Sequence, residues 1–136
     1  MPATTIVIYE QNTTLGQRIA HAAANLPVRI REVRSATAFR EAVQSGPFPV
    51  AFIEHEESLR ETLDLLDACR RVQAISIIVG TLPDWPAETE VCELGATLVL
   101  PPRYEACRWP PLLRRLVELS QYRMRTANGE LLPIQR

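Results

Sequence analysis

Lysine is missing from this chain: all fifteen of its basic residues are arginine. The absence excludes mechanisms that need an ammonium group, such as a Schiff base, a phosphate-binding P-loop lysine or a lysine that reads a phosphoryl group. Arginine's planar fork is not an interchangeable point charge. Glycine is scarce as well, five in 136 residues, and no GxGxxG or other glycine-rich run is present to wrap a phosphate. The three cysteines, Cys69, Cys92 and Cys107, make no CxxC pair. Their odd number points to reduced thiols rather than a disulfide framework. No apolar run approaches the roughly 18 residues of a membrane-spanning helix, and no charged-then-apolar export pattern opens the chain. A cytoplasmic setting with no membrane partner is therefore expected. Excess charge of either sign is lacking too: the net charge is −1, so no bulk pull toward nucleic acid is expected.

What is present describes one globular domain, 46% hydrophobic and 23% charged. The charge is unevenly placed, with 8 Arg against 13 acids in residues 1–102 and 7 Arg against 3 acids in 103–136. The basic C-terminal part has no aromatic interleaving and no reading motif, so it is read as a solvated face.

The pattern along the chain alternates strand and helix. Thr4–Tyr9 is β-branched and aromatic, a strand. Thr14 and Gln17 have capping-box spacing, and Leu15, Ile19, Ala22, Ala23 and Leu26 follow at helical period until Pro27. Val28–Val33 alternates strictly, as an edge strand with one wet face does. Ala36, Phe39, Ala42 and Val43 predict a short helix ending at Gly46. Residues 49–53 form a continuous apolar run, a strand covered on both faces. Ser58 and Glu61 make a second capping box, before a helix with Leu59, Leu63, Leu66, Cys69 and Val72 on its inner face; Glu56 and Glu57 suit that helix's positive end. Residues 74–79 are another buried strand, then come a loop through Pro86, a helix over 87–94 with Cys92 inward, and a fifth strand at 96–100. A last helix over 110–125 turns Leu112, Leu113, Leu116, Val117, Ser120 and Met124 inward. Residues 1–125 are thus one domain and 126–136 a tail or linker. Five strands alternating with five helices predict an α/β, doubly wound, five-stranded parallel sheet of flavodoxin-like order 2-1-3-4-5, the amphipathic second strand lying at an edge.

In open parallel sheets ligands bind beyond the carboxyl ends of the strands. Glu54 and His55 stand at the end of the third strand. His55 is read as an exposed residue, neither phosphoacceptor nor base. Glu10, Glu54, His55 and Glu56 can converge on a divalent metal, but a helix-capping role is favoured, so no cofactor is expected. Cys107 has no base nearby in sequence, which leaves no ground for thiol catalysis. Trp85 and Trp109, each near arginine or proline, have the composition of a contact hot spot.

The element order and spacing, with Gly95-Ala96 leading into the last strand, resemble the receiver (CheY-like) domain of two-component response regulators over residues 4–125. The resemblance implies a phosphoacceptor pocket: two acids after strand 1 holding Mg²⁺, an Asp ending strand 3, a hydroxyl ending strand 4 and a Lys ending strand 5. Here those positions fall on Glu10 and Gln11, Glu54, Gly80 (with Thr81 adjacent) and Pro102, and Leu98 or Val99 stands at the aromatic switch position. Glu54 places its carboxylate one methylene too far for in-line attack. Arg103 lies near the Lys position, within sequence reach of a pairing with Glu54. The expectation is a degenerate, non-catalytic pseudo-receiver that works by protein contact in signal transduction. Its partner is another signalling protein or a second copy, bound through the last two helices and fifth strand, with Trp109, Arg114, Arg115 and Glu118 as contact residues. The alternative is an atypical receiver phosphorylated at Glu54 or His55 with Mg²⁺ at Glu10. A small flavodoxin-like ligand binder is a third reading, weakened by the shortage of glycine.

Overall fold

The computed structural model describes residues 3–56 and 58–129; Glu57 and the tail from 130 onward, both assigned roles from sequence, lie outside the described residues. Strands β1 (Thr4–Tyr9), β2 (Val28–Val33), β3 (Val50–Glu54), β4 (Ile75–Val79) and β5 (Ala96–Leu100) alternate with helices α1 (Thr14–Ala22), α2 (Ala36–Val43), α3 (Leu59–Arg71), α4 (Trp85–Glu93) and α5 (Trp109–Ala127). All pairings are parallel and the order is β2-β1-β3-β4-β5, as the sequence pattern requires. The apolar runs of β1, β3 and β4 lie in the middle, and alternating β2 takes an edge.

Strand alternation divides the core into two layers. Val7, Tyr9, Ala51, Ile53 and Ile78 face one way and pack with Phe39, Leu65, Leu66 and Val91 from α2, α3 and α4. Ile6, Ile8, Val50, Phe52, Ile75 and Ile77 face the other way, against Leu15, Ile19, Leu113 and Leu116 from α1 and α5. Ser120, fully buried on α5, donates to the Phe48 carbonyl at 2.8 Å and fastens this helix to the entry of β3.

Four local expectations are corrected. Helix α3 buries Thr62, Leu65, Leu66 and Cys69, whereas Leu59, Leu63 and Val72 are only partly covered. The helix is rolled so that the Thr62 hydroxyl points inward to a polar partner. Helix α4 begins at Trp85, because Asp84 accepts the Ala87 N–H at 2.9 Å and Pro86 fits the first turn. This short helix buries only Ala87 and Val91, so Cys92 is exposed rather than inward. Trp109, expected at a contact surface, is 2% exposed. Its indole packs edge-on against Phe52 and Tyr104, with centroids at 5.8 and 4.9 Å.

Candidate functional site

The strand order reverses direction between β1 and β3, and beyond the carboxyl ends of the strands lies a cleft of about 410 Å³. Asn12, Thr14, Leu15 and Arg18 line it from the β1–α1 side, Glu54, His55 and Glu56 from β3, Val79 and Gly80 from β4, and Pro102 and Arg103 from beyond β5. Of the sequence-derived pocket residues, Glu54, Gly80 and Pro102 therefore meet there. Thr81 is exposed and is not among the residues lining the cleft.

Glu10 is turned to another task. Its side chain is 1% exposed, and its two oxygens accept the N–H groups of Leu15 (3.1 Å) and Gly16 (2.8 Å). It thereby satisfies two of the orphan donors in the first turn of α1, a turn with no cap from its own Thr13. The expected Thr14/Gln17 capping box does not form; Asn12 accepts from the Thr14 N–H instead. Glu32 crowds the same point, and a Cβ on Gly16 would collide with both carboxylates. Burial raises the Glu10 pKa above its ordinary value, against the lowering by Gly16, with Glu32 and Glu54 adding like-charge repulsion.

Glu54 is half-buried and accepts a long 3.4 Å bond from the Gln11 N–H. Burial raises its pKa too, and the neighbouring Glu56 carboxylate reinforces the rise. Gln11 donates its side-chain amide to the Arg34 carbonyl, which ties the β1–α1 loop to the β2–α2 loop. On the far side of β3 a second cleft of about 450 Å³ is lined by Tyr9, Gln11, Arg34, Glu54 and Glu61 among others. There Tyr9 donates to Glu61 at 2.6 Å, and burial with that acceptor pushes its phenol up to about 12.

His55 is the largest departure from expectation. It is 7% exposed, not solvent-facing, and its Nδ1 lies 2.7 Å from the Thr62 hydroxyl. Its backbone N–H donates to the Val79 carbonyl, so the chain beyond β3 stays bound to β4. Gly80 follows from that contact. Its φ is +146°, and a Cβ there would stand 2.5 Å from the His55 carbonyl oxygen. The position that would carry a hydroxyl in the resembled pocket has no room for a side chain. Sequence reasoning missed Thr62; the one signal for it was a hydroxyl placed one turn after the Ser58 cap.

The acid pair that holds Mg²⁺ in the resembled pocket corresponds here to Glu10 and Gln11. Both Glu10 oxygens are committed to backbone donors, and Gln11 brings no charge. No group of three or more His, Cys, Asp or Glu among the described residues is arranged to hold a metal ion. Arg103 does not pair with Glu54, although both line the cleft. Elsewhere, Arg114, Arg115 and Glu118 are exposed on α5, Trp85 is 75% exposed at the start of α4, and Leu98 on β5 is 36% exposed. Among the described residues no helix is long and apolar enough to cross a membrane.

Raised carboxyl pKa values set the direction of a pH effect. Glu10 and Glu54 hold protons more tightly folded than unfolded, so the folded state binds more protons above the ordinary value of 4.5. Stability is then expected to fall as pH rises through that window and to level off above the raised values. Urea midpoints should be higher near pH 5 than near pH 7.5, and Glu54→Gln should reduce the difference.

No protein-family model matches the chain, and no curated protein sequence matches it. Solved structures do resemble it. The signal receiver domain of an HD domain-containing protein from Pseudomonas fluorescens aligns over 91% of this chain and 93% of its own, at 15% identity and a TM-score of 0.75. A response regulator from Thermotoga maritima aligns over 85% of this chain and 98% of its own, at 11% identity and a TM-score of 0.71. The receiver domain of a Francisella response regulator aligns over 85% and 98%, at 12% identity and a TM-score of 0.69. The chain therefore has the receiver fold, with the flavodoxin-like strand order.

Proposed function

We propose that this domain is a pseudo-receiver: a non-enzymatic signalling module that keeps the receiver fold, has lost phosphotransfer and acts by contact with another protein. The observation that carries the reading is Glu10, whose carboxylate caps α1 instead of facing an open metal position. Three further features support it. Gly80 has no room for a hydroxyl side chain, Pro102 stands where a lysine would be needed, and the chain contains no lysine at all. With Glu10 bound to the first turn of α1 and no lysine at the end of β5, Glu54 lacks the partners that screen an incoming phosphoryl group in the resembled pocket.

The contact surface in this reading is α4, β5 and α5. It carries exposed Trp85 and Leu98 together with Arg114, Arg115 and Glu118. Trp109 is withdrawn from it as a core residue. The partner is a second signalling protein or another copy of this chain. The double variant Arg114→Glu/Arg115→Glu is expected to keep the wild-type unfolding free energy within about 0.5 kcal/mol per substitution, since both side chains are exposed. It is expected to lose self-association in sedimentation, or capture of the partner. Unchanged association with both charges reversed would count against this surface.

A further inference from the structure

The switch-point cleft holds charges of both signs that do not meet. Arg18, on α1, and Arg103, beyond β5, line it, and neither has an ion-pair partner among the described residues. Glu54 and Glu56 line it from the β3 side and likewise have no cationic partner there. Four charged groups around one space, with no direct salt bridge between them, leave both signs available to a ligand.

We propose that the cleft binds a small zwitterion of the α-amino acid class, its carboxylate toward Arg18 and Arg103 and its ammonium toward Glu54 and Glu56. The volume of about 410 Å³ suits a small molecule. Guanidinium groups are the natural partners of a carboxylate, which they can hold by two parallel bonds. A simple anion meets repulsion from the two glutamates, and a metal cation meets repulsion from the two arginines; a ligand with one charge of each sign satisfies all four groups. Gly80 and His55 also line the cleft, and His55 is held to Thr62 through Nδ1. This inference goes beyond the proposed interaction module and does not depend on its contact surface: the vacated pocket becomes a sensory site.

The test is an amide NMR titration of the full chain in metal-free buffer with glycine, L-alanine, L-glutamate and L-arginine, each to about 20 mM, with acetate and methylamine as single-charge controls. At least one amino acid is expected to give saturating shifts at Thr14, His55, Gly80 and Arg103. Acetate and methylamine should each bind at least about ten-fold more weakly, and Arg18→Ala/Arg103→Ala should weaken the amino acid by a similar factor. Both arginines are exposed, so the variant is expected to fold, which its own amide spectrum checks. No saturating shift with any of the four amino acids would overturn the proposal. So would acetate binding as well as the best amino acid, or binding unchanged in the double variant.

Discussion

Gly80→Thr is expected to destabilise the fold strongly, even though it restores the hydroxyl that the resembled pocket carries. The backbone there has φ +146°, a region that costs a non-glycine residue about 1–3 kcal/mol. The new Cβ would also sit 2.5 Å from the His55 carbonyl oxygen. The residue that carries this oxygen is held on two sides, its N–H by Val79 and its ring by Thr62. Overpacking of this kind adds roughly 1–3 kcal/mol. The total is a large part of the about 5–15 kcal/mol by which a domain is stable. Gly80→Ala should cost nearly as much, since the fault lies at Cβ rather than at the hydroxyl. Urea denaturation of both variants checks this, and a native midpoint for either would show that the strand end can open.

Trp109→Ala is expected to cost about 3–5 kcal/mol, the range for deleting a fully buried large aromatic. Its ring fills the space between Phe52 on β3 and Tyr104 before α5, so truncation opens a cavity at the junction of sheet and helix. Trp109→Phe should be much milder. Phenylalanine keeps the edge contacts and removes an indole N–H that is buried without a hydrogen-bond partner. A contact residue would behave oppositely, with both variants near wild-type stability and a binding defect. Denaturation midpoints of the pair separate the two roles.

The fold was legible because the pattern of each strand states its place. Strict alternation in Val28–Val33 marks an edge, and unbroken apolar runs in β3 and β4 mark the middle. Trp109 was legible too, but masked by its flanks. It continues the inward stripe of Leu113, Leu116, Val117, Ser120 and Met124 by one turn, yet Arg108 beside it gave it the composition of a contact residue.

The site was harder to read, because its key bonds join different elements. Glu10 caps a helix from a strand end, and nothing in local spacing distinguishes that from a metal ligand. His55 is buried and bonded to Thr62, which α3 turns inward. That rotation of the helix is decided by packing rather than by the leucine pattern. Gly80 was visible as a missing hydroxyl, but the reason for it, close backbone approach between β3 and β4, exists only in three dimensions.

A carboxyl-end pocket that has lost phosphoryl chemistry, as proposed, is tested most directly by titration with Mg²⁺ and beryllofluoride followed by amide NMR. A flat response is expected at Glu10, Gln11, Glu54 and Gly80. Saturable shifts clustered at those amides would mean that the pocket still accepts a phosphoryl mimic, and would contradict the proposal.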